Sequence, residues 1–329
     1  MTKTNIDSYQ CFQRKRHQNN KEIINRFMKQ FSILIPTWNN LPYLKLCIQS
    51  IRNNSAFEHQ IIIHINEGVD GTLEWVKNEG LEYTYSENNI GVCLSLNMAR
   101  TKVATDYICF INDDMYMLPN WDVLFYNEIK SLNNSKMFFL SGSVIQPNSM
   151  PPEGSGLIKN FGDSIESFNE TKLLKEYEGL VVEDWYGATA PPNIVHKDLW
   201  DLVGGYSIEF SPGMGSDPDF TCKLIMVGVK YLKGIGKCMA YHFVSKSVGR
   251  VKRNKPGEQI IFKWGLPHST FRKHFIRMGG KWSERYGSNL DENKLYREGI
   301  RAKLKGLFYL LKTLFKKEKL YAIPHVKSL

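Results

Sequence analysis

The chain has 329 residues, 42% of them hydrophobic and 12% aromatic, and carries 43 Lys and Arg against 33 Asp and Glu for a formal net charge of +10. That much apolar material fills a core, so a disordered chain is excluded, and the length fits one large domain or a domain with an appendage. The positive balance points to an anionic partner (nucleic acid, an anionic membrane surface or a phosphorylated substrate) unless it serves solubility alone.

The six cysteines form no C-x-x-C pair and several sit in apolar runs, which argues for buried thiols in a reducing compartment rather than a zinc site. The N-terminus is polar and carries Arg14-Lys15-Arg16, unlike a signal peptide. No apolar run approaches the roughly 20 residues that span a bilayer. The expected location is cytoplasmic or on the inner face of a membrane.

Residues 1–30 read as a polar, basic lead-in with a short helix over Glu22 to Lys29. Phe31 to Pro36 is a buried strand stopped by proline, and Thr37-Trp38-Asn39-Asn40 is a loop. Leu41 to Arg52 places Leu44, Cys47, Ile48 and Ile51 on one helical face. A strand at Gln60 to Ile65 ends in Asn66-Glu67-Gly68 and the turn Asp70-Gly71. A helix over Thr72 to Asn78, a strand at Tyr83 to Tyr85, a helix from Val92 to Ala104 and a strand at Tyr107 to Ile111 follow. This alternation predicts a doubly wound, parallel α/β sheet, with ligands at the carboxyl ends of its strands. Thr37, Asn39, Asn66, Glu67, Asp113 and Asp114 would then share one rim. Neither a G-x-G-x-x-G after the first strand nor a G-x-x-x-x-G-K-[ST] is present, so a dinucleotide site and a P-loop are unsupported.

The second half is less regular. Met137 to Val144 reads as a strand, and residues 147–170 as a long loop rich in Pro, Gly, Ser and Asn. Leu199 to Tyr206 carries a helix ended by Gly204-Gly205. Gly213 to Phe220 opens a helix running to about Met226, with Asp217 and Asp219 near its N-terminus, where the macrodipole favours carboxylates. After a strand at Cys238 to Phe243 comes the basic run Lys246, Arg250, Lys252, Arg253 and Lys255, either a lid over an anionic ligand or a solvated loop.

The chemistry centres on Asn112-Asp113-Asp114, a carboxylate pair at the end of a buried strand. Such oxygen ligands suit a hard ion such as Mg2+ or Mn2+, and a turn or helix cap is the bland alternative. Asp217 stands where a helix cap is favoured, and the bland readings of His242 and Trp185 are a core histidine and a core tryptophan. Thr37, Asn39 and Glu67 read as ligand contacts or turn chemistry.

Taken in order, Pro36-Thr37-Trp38-Asn39, Asn66 to Thr72, Asn89-Ile90-Gly91, Asn112-Asp113-Asp114, Ser216-Asp217-Pro218-Asp219 and His242 resemble the motifs of the inverting family 2 glycosyltransferases. The resemblance spans residues 31–250. It implies the GT-A fold, a Rossmann-like, mostly parallel α/β sheet flanked by helices, here with a C-terminal helical appendage over 251–329. It also implies these roles: Asp217 as catalytic base; Asp114 and His242 as ligands of Mg2+ or Mn2+; Thr37, Asn39, Glu67, Asn89 and Asp113 as contacts to a nucleotide-sugar donor, UDP- or another NDP-sugar; and Trp185 and Asp219 at the acceptor, a glycan or lipid-linked glycan of surface polysaccharide assembly. Nucleic acid is not expected as a partner. Three positions depart from the family pattern. Asn112 replaces the first D-x-D aspartate, Asn66 replaces an acidic residue that commonly contacts uracil, and Ser216 replaces the usual glutamate. The Gln-x-x-Arg-Trp signature of processive synthases is absent, which implies addition of one sugar. Competing readings are a binding module without catalysis and a nucleotidyltransferase, although no Gly-rich loop with Lys or Arg follows the first strand.

Near the C-terminus, Ile300, Leu304, Leu307, Phe308, Leu311, Leu314 and Phe315 recur on one face of a helix over about 296–319. Arg297, Arg301, Lys303, Lys305, Lys312, Lys316, Lys317 and Lys319 populate the rest. This pattern reads as an interfacial anchor on anionic lipid, or as a helix packed on the domain or in a dimer.

Overall fold

The computed structural model describes residues 29–151, 154–244, 254–283 and 292–316. Residues 1–28 of the expected lead-in, including Cys11, together with Lys246, Arg250, Lys252, Arg253 and residues 317–319, lie outside the described residues.

Strand β1 (Ser32–Trp38) shows how the layers arise. Successive side chains alternate faces, so Ile33 and Ile35 pack on one side of the sheet and Leu34 on the other. On the first side lies α1 (Leu41–Asn54), whose buried residues are Leu44, Cys47, Ser50 and Ile51 with Ile48, the predicted stripe. The chain continues through β2 (Gln60–Asn66), α2 (Thr72–Asn78), β3 (Glu82–Ser86), α3 (Gly91–Arg100), β4 (Tyr107–Phe110), the short β5 (Met115–Met117) and α4 (Trp121–Ser131). Helix α3 covers the second side, with Cys93, Leu96 and Ala99 buried against Leu34, Ile62 and Phe110.

The second half comprises β6 (Phe138–Gln146), β7 (Gly156–Ile158), α5 (Glu170–Glu176), β8 (Trp185–Tyr186), β9 (Asn193–His196), α6 (Lys197–Leu202), α7 (Ser216–Met226), β10 (Tyr231–His242), α8 (Pro256–Trp264), α9 (His268–Phe271) and α10 (Glu292–Lys316). The ten described strands form one sheet with the path β3-β2-β1-β4-β9-β6-β10-β5. The first four strands on this path are parallel to one another, and β9 runs antiparallel to both β4 and β6. Two reversals restore the original direction. Strand β6, and β10 parallel to it, therefore end on the same rim as β1, β2 and β4. The result is the α/β class expected, a sheet flanked by helices with a C-terminal helical appendage. Part of the segment expected to be a long loop, 147–170, is pulled into the sheet as β7. The five described cysteines are buried and unpaired.

Behind the sheet, Asp122 is fully buried at the start of α4. It accepts hydrogen bonds from the N–H groups of Ala56 and Phe57, each 2.8 Å, and lies 3.1 Å from His59 Nε2. One carboxylate thus ties the α1–β2 connection to α4. Truncating it removes the acceptor of two backbone N–H groups and leaves the buried His59 side chain without its carboxylate partner. Asp122→Ala is expected to lower the free energy of unfolding by about 3 kcal/mol, read as a lower urea midpoint at unchanged slope.

Candidate active site

A cavity of about 270 Å3 opens at the carboxyl rim of the strands. Its lining includes Thr37, Trp38, Asn66, Asn89, Asn112, Asp113, Asp114, Ser216, Asp217 and His242. Another cavity of about 300 Å3 lies near Lys29, Arg52, His59 and Glu82, at the opposite ends of β2 and β3, and contains none of the expected site residues.

The sheet register brings Asp114 to His242. Strand β5 pairs antiparallel with β10 so that Met115 faces His242, and the Phe243 N–H donates to the Asp114 carbonyl at 3.1 Å. The carboxylate Oδ1 of Asp114 consequently lies 3.3 Å from His242 Nε2. The other ring nitrogen is held 3.0 Å from Gln146 Nε2 at the end of β6, which fixes the plane of the imidazole. Adjacent ligands of an octahedral ion at 2.0–2.1 Å stand about 3 Å apart. One carboxylate oxygen and one imidazole nitrogen at 3.3 Å therefore fit two neighbouring positions around such an ion. Among the described residues no group of three or more His, Cys, Asp or Glu side chains surrounds a common point. Such an ion would take its other ligands from a bound substrate and water, the usual arrangement for Mg2+.

Asp113 points to the other neighbour strand, where its Oδ2 accepts from the Thr37 hydroxyl at 2.7 Å. Thr37 and Asp113 thereby brace the ends of β1 and β4 against each other. Asn66 is committed to the fold. Its Nδ2 donates to the Thr37 carbonyl and to Ser95, each at 3.1 Å, and its Oδ1 accepts from the Ile90 N–H at 2.9 Å. A carboxylate at this position would have no N–H to give.

Asp217 reaches the cavity from the opposite wall. It lies in the first turn of α7, after a loop held against α3 by the Val92 N–H donating to the Pro212 carbonyl at 2.9 Å. Gly91 makes that contact possible. Its φ is +77°, and a Cβ there would stand 2.7 Å from Pro212 Cα. Asn89 caps the same turn, its Oδ1 accepting from the Gly91 N–H at 2.9 Å. The Asp217 carboxylate is enclosed by protein on its inner side, and burial pushes its pKa from 3.8 up to about 7, with a hydrogen bond from Tyr206 opposing the shift.

Four expected contacts are not in the cavity wall. Asn39 and Glu67 sit on the outer rim, both with positive φ, and bond to each other at 3.0 Å, while Asn39 Oδ1 accepts from the Val69 N–H. Trp185 is only 2% exposed, and its indole N–H donates to Ser143 inside the sheet. Asp219 is fully buried and bound to Lys263 Nζ at 2.9 Å and the Trp264 indole N–H at 2.8 Å, so it ties α7 to α8. The sequence reading missed Tyr206 and Gln146, which touch Asp217 and His242. Neither stands at a motif spacing. Gln146 is at a strand end, but only the strand order puts it beside His242.

Residues 32–139, about a third of the chain, match the family model described as Glycosyl transferase family 2. The match includes Thr37, Asn89, Asp113 and Asp114 and stops before Asp217 and His242. No curated protein sequence matches the chain. Among solved structures, S. aureus TarS 1-349 is similar at 15% identity and a TM-score of 0.47, with 65% of this chain and 60% of that chain covered. The same TarS fragment in complex with UDP-GlcNAc gives 15% identity, 0.46, 66% and 61%. The mannosyltransferase PcManGT from Pyrobaculum calidifontis, in complex with GDP-Man and Mn2+, gives 14% identity, 0.45, 68% and 59%. The chain thus spans about six-tenths of the length of these structures.

The raised pKa of Asp217 has a consequence for stability. Between pH 4 and 7 the folded chain holds a proton that the unfolded chain has released. The contribution of this carboxyl is therefore fully present below about pH 4, lost as pH rises through 7, and level above that. Asp217→Asn removes the titration. Between pH 5 and pH 8 the variant is expected to gain roughly 2–3 kcal/mol on the parent, measured by urea unfolding at both pH values. An unchanged difference would contradict the assignment.

Proposed function

We propose that the protein is a glycosyltransferase of the GT-A fold that moves one sugar, with inversion, from a nucleotide-sugar donor to a hydroxyl of a glycan or lipid-linked glycan, in surface polysaccharide biosynthesis. The observation that carries this reading is the division of labour in one cavity. A carboxylate–imidazole pair suited to a divalent ion stands on the sheet side, and a separate, proton-avid carboxylate stands on the helix side.

A bound Mg2+ or Mn2+, held by Asp114 and His242, would neutralise charge on the donor diphosphate as it leaves. Thr37, Asn89 and Asp113 line the part of the cavity nearest the first strands and would hold the nucleotide. Asp217 takes the proton of the acceptor hydroxyl as its oxygen bonds to the anomeric carbon and the bond from that carbon to the diphosphate breaks. A single displacement with one base and no enzyme-bound sugar inverts the anomeric centre. A carboxyl with a pKa near 7 is a stronger base than an ordinary aspartate and is substantially ionised at neutral pH. The UDP-GlcNAc and GDP-Man complexes of similar structures name the donor classes to try first.

Helix α10 supports a place for this chemistry at a membrane surface. Ala302 is fully buried, and a Cβ at Gly306 would stand 3.5 Å from Ile261 and 3.7 Å from Phe262 of α8, so the helix docks through its small residues. Leu304, two positions from each, lies on the opposite face at about 100° per residue. Leu304 is 64% exposed and Phe308 62%, and Ile300, Leu307 and Leu311 are exposed beside them. Arg301, Lys303 and Lys305 are exposed along the flanks. An apolar stripe edged with cations suits the headgroup layer of an anionic bilayer. Among the described residues, no helix is long and apolar enough to cross one.

The direct test is release of nucleoside diphosphate from a panel of UDP- and GDP-sugars with Mn2+ and acceptor. Asp217→Asn is expected to lower turnover by at least about 100-fold while leaving the dissociation constant for the donor within about twofold, by calorimetry. Asp114→Asn is expected to abolish the Mn2+ dependence of donor binding. Release from no donor would favour a binding module.

Membrane association is tested separately. The protein should float with vesicles containing one-third phosphatidylglycerol and not with neutral ones. Leu304→Glu/Phe308→Glu should reduce flotation at least about tenfold without changing thermal stability.

A further inference from the structure

Tyr206 is held more firmly than its position in a connection after α6 would require. Its ring is buried and stacked on Phe220, with centroids 4.7 Å apart and planes 4° from parallel, and Phe110 meets it edge-on. Its backbone is clamped from α3 by one amide. Asn97 Nδ2 donates to the Tyr206 carbonyl at 2.7 Å, and the Tyr206 N–H donates to Asn97 Oδ1 at 2.9 Å. Aromatic packing would explain the ring, and it leaves the hydroxyl to be accounted for.

That hydroxyl donates its one proton to Asp217 Oδ1 at 3.2 Å. Among the described residues, Asp217 Oδ2 takes no hydrogen bond. One carboxylate oxygen is therefore fixed and the other remains for an incoming proton.

We propose that Tyr206, held by Asn97 and by the stack on Phe220, is a positioning residue for the transfer, holding Oδ1 of Asp217 so that Oδ2 meets the acceptor hydroxyl. This rests on the assignment of Asp217 as the base. The bond acts on charge as well as direction, because a hydroxyl donating to a carboxylate favours its ionised form. Burial raises the pKa of Asp217 and the Tyr206 hydroxyl restrains the rise. Among the described residues, the other titratable groups around Asp217 are Cys93 on α3, which feels its charge, Asp219 two residues on, itself paired with Lys263 of α8, and Asp113, Asp114 and His242 across the cavity.

Tyr206→Phe keeps the stacked ring and deletes only the hydroxyl. In protein labelled with 13C at aspartate carboxyls, with the Asp217 signal identified by its loss in Asp217→Asn, the Asp217 midpoint in Tyr206→Phe is expected to rise by about half a unit to one unit. In transfer assays with the UDP- and GDP-sugar panel, turnover should fall both at pH 6.5 and at pH 9, with the loss roughly three- to eightfold greater at pH 6.5. The KM for the donor should not move. An unmoved carboxyl midpoint, or turnover equal to the parent's at pH 9, would overturn the proposal. Should Asp217→Asn retain turnover, the base assignment fails, and the carboxyl titration still judges the Tyr206–Asp217 bond on its own.

Discussion

The antiparallel pairing of β5 with β10 is the constraint on which the sheet side of the cavity depends. Strand β5 begins one residue after Asp114, and β10 ends at His242, so pairing Met115 with His242 sets the carboxylate and the imidazole 3.3 Å apart. Neither loop flexibility nor side-chain choice has to supply that distance. A slip of one residue would turn each side chain to the opposite face. The pairing is itself buried, with Met115, Tyr116 and Met117 all inside, and that burial holds the register. Gln146 then arrives from the adjacent strand end to orient the ring.

The helix side depends on a close backbone approach. Gly91 lets the loop at Pro212 lie against the start of α3, and Asp219, sunk beneath α7 with Lys263 and Trp264, holds that helix from behind. The two aspartates of one short segment do unlike things because a helix turns about 200° in two residues. Among the described residues, Asp217 faces the cavity with a single hydrogen bond and no cationic partner, and Asp219 faces an ion pair inside the protein. Charge compensation separates them: the paired carboxylate belongs to the scaffold, and the other is left proton-avid.

The C-terminal helix inverts the usual economy of an amphipathic element. Its largest apolar side chains face outward and its smallest residues face the domain. Small residues allow close helix-to-helix approach, and the broad stripe is left for another surface. That geometry separates the docked face of the helix from its exposed apolar stripe, which the hydrophobic pattern alone does not distinguish.

Much of the architecture was legible in the chain. The strands at 32–38 and 107–110 and the helix at 41–54 follow from local apolar patterns, and Asn89-Ile90-Gly91 announces a turn with the backbone freedom that the Pro212 contact needs. The candidate residues Thr37, Asn89, Asp113, Asp114, Asp217 and His242 were readable by type and order, and the fold brings all six to one cavity. The fates of Trp185, Asp219, Asn39 and Glu67 were not readable. Each depends on what lies across from it: Ser143 for the tryptophan, Lys263 for the aspartate, and each other for the rim pair. Tyr206 carried no signal at all, since its hydroxyl meets Asp217 only in the folded chain. Local pattern decides which segments become strands and helices, because φ/ψ preference and burial period act over a few residues. Which carboxylate stays free, which is neutralised and which hydroxyl steadies it are set by contacts between segments far apart in sequence, and only the tertiary structure decides those.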